Sequence, residues 1–162
     1  MSTIVDLQIA TTSTVIPTKD KIQLWLNTVL AHQNLTAQEI TVRLVDIEES
    51  QALNLDYRGK DKPTNILSFP FEVPEVLSRQ DANEDIKIPS LLGDLVVCSQ
   101  VVEAEAKLQN KQNLDHWAHM IVHGCLHLLG FDHIEDTEAN EMEALEIAIL
   151  KQLSIDDPYQ DH

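Results

Sequence analysis

Three histidines carry the densest chemistry in the chain. His123 and His127 stand four residues apart and His133 follows, in the pattern His-x-x-x-His-x-x-Gly-x-x-His. Residues four apart share one side of a helix on successive turns, so the first two imidazoles can grip a single ion. Gly130 can adopt the left-handed conformation that reverses a chain after a helix, swinging His133 back toward the same ion. Three neutral imidazoles suit one zinc ion per chain and leave a fourth position for water, whose ionisation zinc brings down to about pH 7. Imidazole also accommodates copper, nickel and iron. The plainer alternative is a polar cleft in which the histidines only cap and hydrogen-bond. His119, one turn before His123, reads as support for a ligand or as a substrate contact, while His116, His32 and His162 carry no signal.

The same spacing occurs on the zinc helix of metzincin proteases, where a glutamate follows the first histidine as general base. Gly124 occupies that position here, so the proteolytic mechanism lacks its proton acceptor. Turning residues 114–129 around a helix places Leu114, Trp117, Ala118, Ile121, Val122, Cys125, Leu128 and Leu129 on one broad face, with His116, His119, His123 and His127 opposite. An outward face would be filled with Lys and Glu, and none occurs from His116 to Asp132. The helix is therefore expected to pack on both sides, its histidines looking into a cleft. Asp132 could orient His133, act as a base, or simply form the turn.

The elements that must position these residues follow from periodicity. Val5, Leu7 and Ile9 alternate with polar residues, as do Ile40, Val42 and Leu44, which is the strand period. Asn65–Phe71 and Leu92–Cys98 are short apolar runs that read as two more strands. Helices are expected after Thr18, which can cap a segment bearing Ile22, Trp25, Leu26 and Val29, over Glu48–Leu55, and from a Ser99 cap to Leu108. Two more should span Leu114–Leu129 and Thr137–Leu153. Four strands and about five helices imply an α+β class, with a metzincin-like zinc-binding helix. The acidic stretch between Phe71 and Leu91 reads as a mobile loop able to flank a site.

The chain has 162 residues, 43% hydrophobic, which suits a single domain over 1–162. No apolar run has transmembrane length and the start lacks a secretory pattern, so no membrane contact and a cytoplasmic location are expected. Two cysteines, Cys98 and Cys125, without CxxC spacing, read as core thiols in a reducing compartment. The net charge of −16 argues against strong polyanion binding, but its distribution is uneven. From Phe131 to His162 there are ten acidic residues and one basic, whereas residues 1–62 hold eight acidic and six basic, with Arg58, Lys60 and Lys62 clustered. A local basic patch is compatible with this balance.

Read together, His123-Gly124-Cys125-Leu126-His127-Leu128-Leu129-Gly130-Phe131-Asp132-His133 resembles the signature of the YbeY family of bacterial rRNA maturation endoribonucleases. Arg58-Gly59-Lys60-Asp61-Lys62-Pro63-Thr64-Asn65-Ile66-Leu67-Ser68-Phe69-Pro70 and Leu92-Gly93-Asp94-Leu95 resemble further family blocks, in the expected order and without departure. The resemblance implies a small mixed sheet covered by helices, and zinc on His123, His127 and His133. It also implies single-strand-specific endoribonuclease activity in maturing the 3′ end of 16S rRNA, a part in ribosome quality control, rRNA and the small ribosomal subunit as partners, and no DNA. Arg58 is then the catalytic candidate, since a guanidinium can pair bidentately with phosphate and stabilise developing charge. Lys60, Lys62 and His119 are candidate substrate contacts. Arg58 could instead be an ordinary helix-end arginine, and the Thr64–Phe69 run could serve either core packing or the cleft. A ribosome assembly factor with a structural zinc is the main alternative, and a metalloprotease the weaker one.

Overall fold

The computed structural model describes residues 4–35, 38–71, 91–131 and 135–159. Strand β1 (Ile4–Ala10) leads to helix α1 (Lys19–His32), then β2 (Glu39–Val45), α2 (Ile47–Arg58), β3 (Ile66–Pro70) and β4 (Leu91–Cys98). Three helices complete the order: α3 (Ser99–Leu108), α4 (Asn113–Leu128) and α5 (Asp136–Gln152). The stretch between Phe71 and Leu91, along with Asp132 and His133, lies outside the described residues.

The strands form one sheet in the order β1-β2-β4-β3. β1, β2 and β4 run parallel and β3 pairs antiparallel with β4, giving the mixed four-stranded sheet and α+β class expected. The register sets Val42 beside Leu95 and Leu44 beside Val97. These side chains, with Ile40, face the main core, which takes in Ile22 and Leu26 of α1, Trp117 and Ile121 of α4, and Met142 and Ile149 of α5. Alternate residues Val45, Leu67, Val96 and Cys98 point to the other face and meet Leu53 of α2. With both faces covered, β4 reads as an almost unbroken apolar run rather than an alternating one. Both cysteines are buried in these clusters, as core thiols should be.

Most boundaries follow local chemistry. The Thr18 hydroxyl accepts from the Lys21 N–H at 3.3 Å and caps α1. Helix α2 runs three residues beyond Leu55 to Arg58, and stops where Gly59 takes a left-handed φ of 69°. One expectation fails: Ser99 is not a cap. Strand β4 passes directly into α3, so Cys98 takes the extended cap position and Ser99 becomes the first helical residue, fully buried. Among the described residues no helix is long and apolar enough to cross a membrane.

Candidate active site

Three elements meet at the β3 edge of the sheet and enclose a cleft of about 840 Å³. The end of α2 contributes Tyr57 and Arg58, the β3 strand its length from Ile66 to Pro70, and α4 with its following turn His123, His127 and Phe131. The Thr64–Phe69 segment serves both uses considered for it. Ile66 and Leu67 are buried in the two cores, and the strand also forms the cleft floor. Among the described lining residues Arg58 is a cation and none is a carboxylate, in a chain of 27 acidic residues.

The close approach of α4 to β3 depends on Gly124. A Cβ at this position would lie 2.5 Å from Ile66 Cδ1 and 2.9 Å from Leu95 Cδ2. The Ser68 hydroxyl donates to the Gly124 carbonyl at 3.1 Å, fastening strand to helix. A side chain at 124 would therefore point at the sheet, not into the cleft, so a metzincin-type glutamate has no place to work here. At the helix end Gly130 has a φ of 100°, with its N–H donating to the His127 carbonyl at 3.0 Å and the Phe131 N–H to Leu126 at 3.1 Å. This is the paired closure of a Schellman motif, and it turns the chain sharply after His127.

The four histidines of α4 do not all face the cleft, which corrects the expectation from the helical wheel. His116 and His119 are buried, at 2% and 7% exposure, because α3 and α5 cover that part of the helix. His116 Nε2 lies 2.9 Å from Glu105 of α3, which also accepts from Asn65 Nδ2 at 3.2 Å. His119 Nε2 donates to Glu146 Oε1 of α5 at 2.8 Å, and His123 Nδ1 donates to the same oxygen at 3.0 Å. The Tyr159 hydroxyl donates to the other Glu146 oxygen at 2.9 Å. Burial alone would raise the Glu146 pKa, but the hydrogen bonds from His119 and His123 outweigh it and hold the carboxyl down at about 2. Burial lowers the His119 pKa, so this ring stays neutral and spends its N–H on Glu146.

That ionised carboxylate decides the tautomer of His123. With Nδ1–H committed to Glu146, the ring presents its Nε2 lone pair toward His127, whose Nε2 lies 3.2 Å away. Two imidazole nitrogens on a tetrahedral zinc ion, each 2.0–2.1 Å from it, stand about 3.3 Å apart. The pair therefore fits as half of a zinc donor set, and a carboxylate behind a ligating histidine is the usual support for one. Among the described residues no group of three His, Cys, Asp or Glu side chains converges on one point. The third proposed ligand, His133, is not described. Cys125 is no substitute donor, since full burial pushes its thiol up to about 12.

Of the remaining candidates, Arg58 lines the cleft, and among the described residues no carboxylate pairs with it. Lys60 and Lys62 are exposed on the turn after α2 and do not line the cleft. Asn54 braces that turn by donating to the Lys62 carbonyl at 2.8 Å. His119 points at Glu146 and away from the cleft, so the structure separates it from Arg58 and brings together only Arg58, His123 and His127. Periodicity missed Glu146, although a signal was present. It lies four residues after Met142 and three before Ile149, a charged residue on the buried stripe of α5.

A family model described as endoribonuclease YbeY matches residues 7–154. A relative of that name from Colwellia psychrerythraea is 52% identical over 162 residues, covering 98% of both chains. The solution structure of TM1509 from Thermotoga maritima shares the fold, with a TM-score of 0.57 at 24% identity over 91% of this chain and 88% of the other. The family match thus runs from β1 past the end of α5 and takes in every segment that frames the cleft, so this chain belongs to the endoribonuclease YbeY family.

Proposed function

We propose that this chain is a zinc-dependent, single-strand-specific endoribonuclease acting in 16S rRNA 3′-end maturation and ribosome quality control. The observation that carries the reading is the meeting of Arg58 with His123 and His127 in a cleft without a described carboxylate. In an acidic chain this is a local site for a phosphodiester. The family membership supports RNA as the substrate, and cytoplasmic rRNA within the small subunit is the natural source.

His123, His127 and His133 would hold the ion, with Glu146 fixing the tautomer and direction of His123. Zinc, when bound, supplies Lewis acidity at the scissile phosphate. Arg58 places a planar guanidinium in the same cleft, where it can pair with two phosphate oxygens and neutralise charge that builds up during attack on phosphorus. The β3 floor and Phe131 narrow the approach to this point.

Cleavage of single-stranded RNA and metal content should be measured together on Arg58→Glu and His127→Ala, with contaminating nucleases excluded. Arg58→Glu is expected to lose at least about 10²-fold in rate while keeping its zinc. Cleavage at the wild-type rate would remove Arg58 from the mechanism. His127→Ala should fold, lose zinc and lose cleavage. A folded, zinc-free variant that still cut RNA would sink the catalytic role of the metal. The net charge of −16 favours a second reading, an assembly factor with a structural zinc, and unfolding of His127→Ala with loss of metal would support it.

A further inference from the structure

Tyr57 is 67% exposed, a large aromatic ring left in water by a chain that holds only two tyrosines and three phenylalanines. It sits in the last turn of α2, one residue before Arg58, on a helix end fixed by Gly59. Phe69 of β3 approaches it edge-on, with ring centroids 4.7 Å apart and planes at 61°. Both rings line the cleft that holds Arg58, His123 and His127. Phe69 packs partly against the smaller core and so anchors the pair, while most of Tyr57 stays uncovered.

From this arrangement we infer that Tyr57, backed by Phe69, is a stacking subsite for one unpaired nucleobase of the strand whose phosphate Arg58 engages. The inference rests on the endoribonuclease reading above and adds to it a base-binding position. An exposed ring beside a guanidinium matches the two chemical parts of a nucleotide, a flat π surface and an anion. Every base has a stacking face, so the subsite is tolerant of sequence but demands that the base be unpaired. A base held in a duplex keeps both faces on its neighbours and cannot enter. The subsite therefore gives single-strand preference a physical origin in the protein.

The test uses the zinc-loaded full chain and a short fluorescein-labelled single-stranded RNA, alongside copies in which one abasic ribose is stepped along the strand. Wild type should show one position where the abasic ribose lowers kcat/KM by about ten-fold, chiefly through KM. Tyr57→Ala should lower kcat/KM on the intact strand by about the same factor and show no further penalty at that position. Tyr57→Trp should restore the positional penalty. Undiminished dependence on the base in Tyr57→Ala would overturn the subsite, as would the absence of any sensitive position in wild type. Arg58→Ala should weaken every strand alike, abasic or not. If the abasic profile fails while Arg58→Ala still acts uniformly, the subsite falls and the nuclease reading stands. If wild type cuts no strand, both fall. Circular dichroism and melting of Tyr57→Ala, whose side chain is largely outside the cores, separate lost stacking from lost folding.

Discussion

A single carboxylate, Glu146, holds two histidines and a tyrosine at 2.8–3.0 Å in a position only 1% exposed. Replacing it with alanine would leave the buried His119 N–H short of its acceptor and release His123 from its orientation. The loss of these charge-assisted bonds should cost about 2–4 kcal/mol, measurable as a lower urea midpoint in Glu146→Ala. At this scale the sequence was partly legible. The His123–His127 spacing and the Gly124 departure could be read directly, because helix geometry relates near neighbours. The partner across α5 lies 23 residues from His123 and is chosen by packing, which no local pattern encodes. The same holds for His116, which spacing left without a role and which α3 covers with Glu105.

Among the elements, α4 is set by what its glycine omits. Gly124→Val would force new atoms against Ile66 and Leu95, and overpacking of this kind should cost about 2–3 kcal/mol despite valine's better helix propensity. Thermal melting would register the cost, and an unchanged melting temperature would mean that α4 can move away from β3 freely. Strand and helix positions were readable to within a few residues, since alternation and 3.6-residue periods persist through most of them. The exception at Ser99 has a plain cause. Capping rules assume a loop before the helix, and here a strand runs directly into it.

Across the whole molecule, Asp46 ties together parts far apart in sequence. Its carboxylate accepts from the Thr11 hydroxyl at 2.6 Å, the Thr12 N–H at 3.0 Å and Gln100 Nε2 at 2.7 Å, linking the end of β1 with the starts of α2 and α3. These bonds, led by Thr11 and Gln100, hold its pKa down at about 2. A depressed carboxylate stabilises the fold above its unfolded value of about 3.9 and ceases to do so as pH falls through its folded value. Asp46→Asn should thus be less stable than wild type at neutral pH, and the gap in urea midpoint should close between about pH 4 and pH 2. A gap independent of pH would show that the ion itself contributes nothing. Topology was the least legible level, because strand order depends on pairings between distant segments. Among the described strands β3 pairs with β4 alone, and β4 in turn lies beside β2, with Val42 opposite Leu95. Non-local pairing of this kind sets a mixed α+β chain between all-helical and all-β proteins in expected folding rate. The cleft that Arg58 lines therefore closes only around segments that follow it in the chain: β3 is held to the sheet by β4, and both of the cleft's described histidines stand on α4 beyond it.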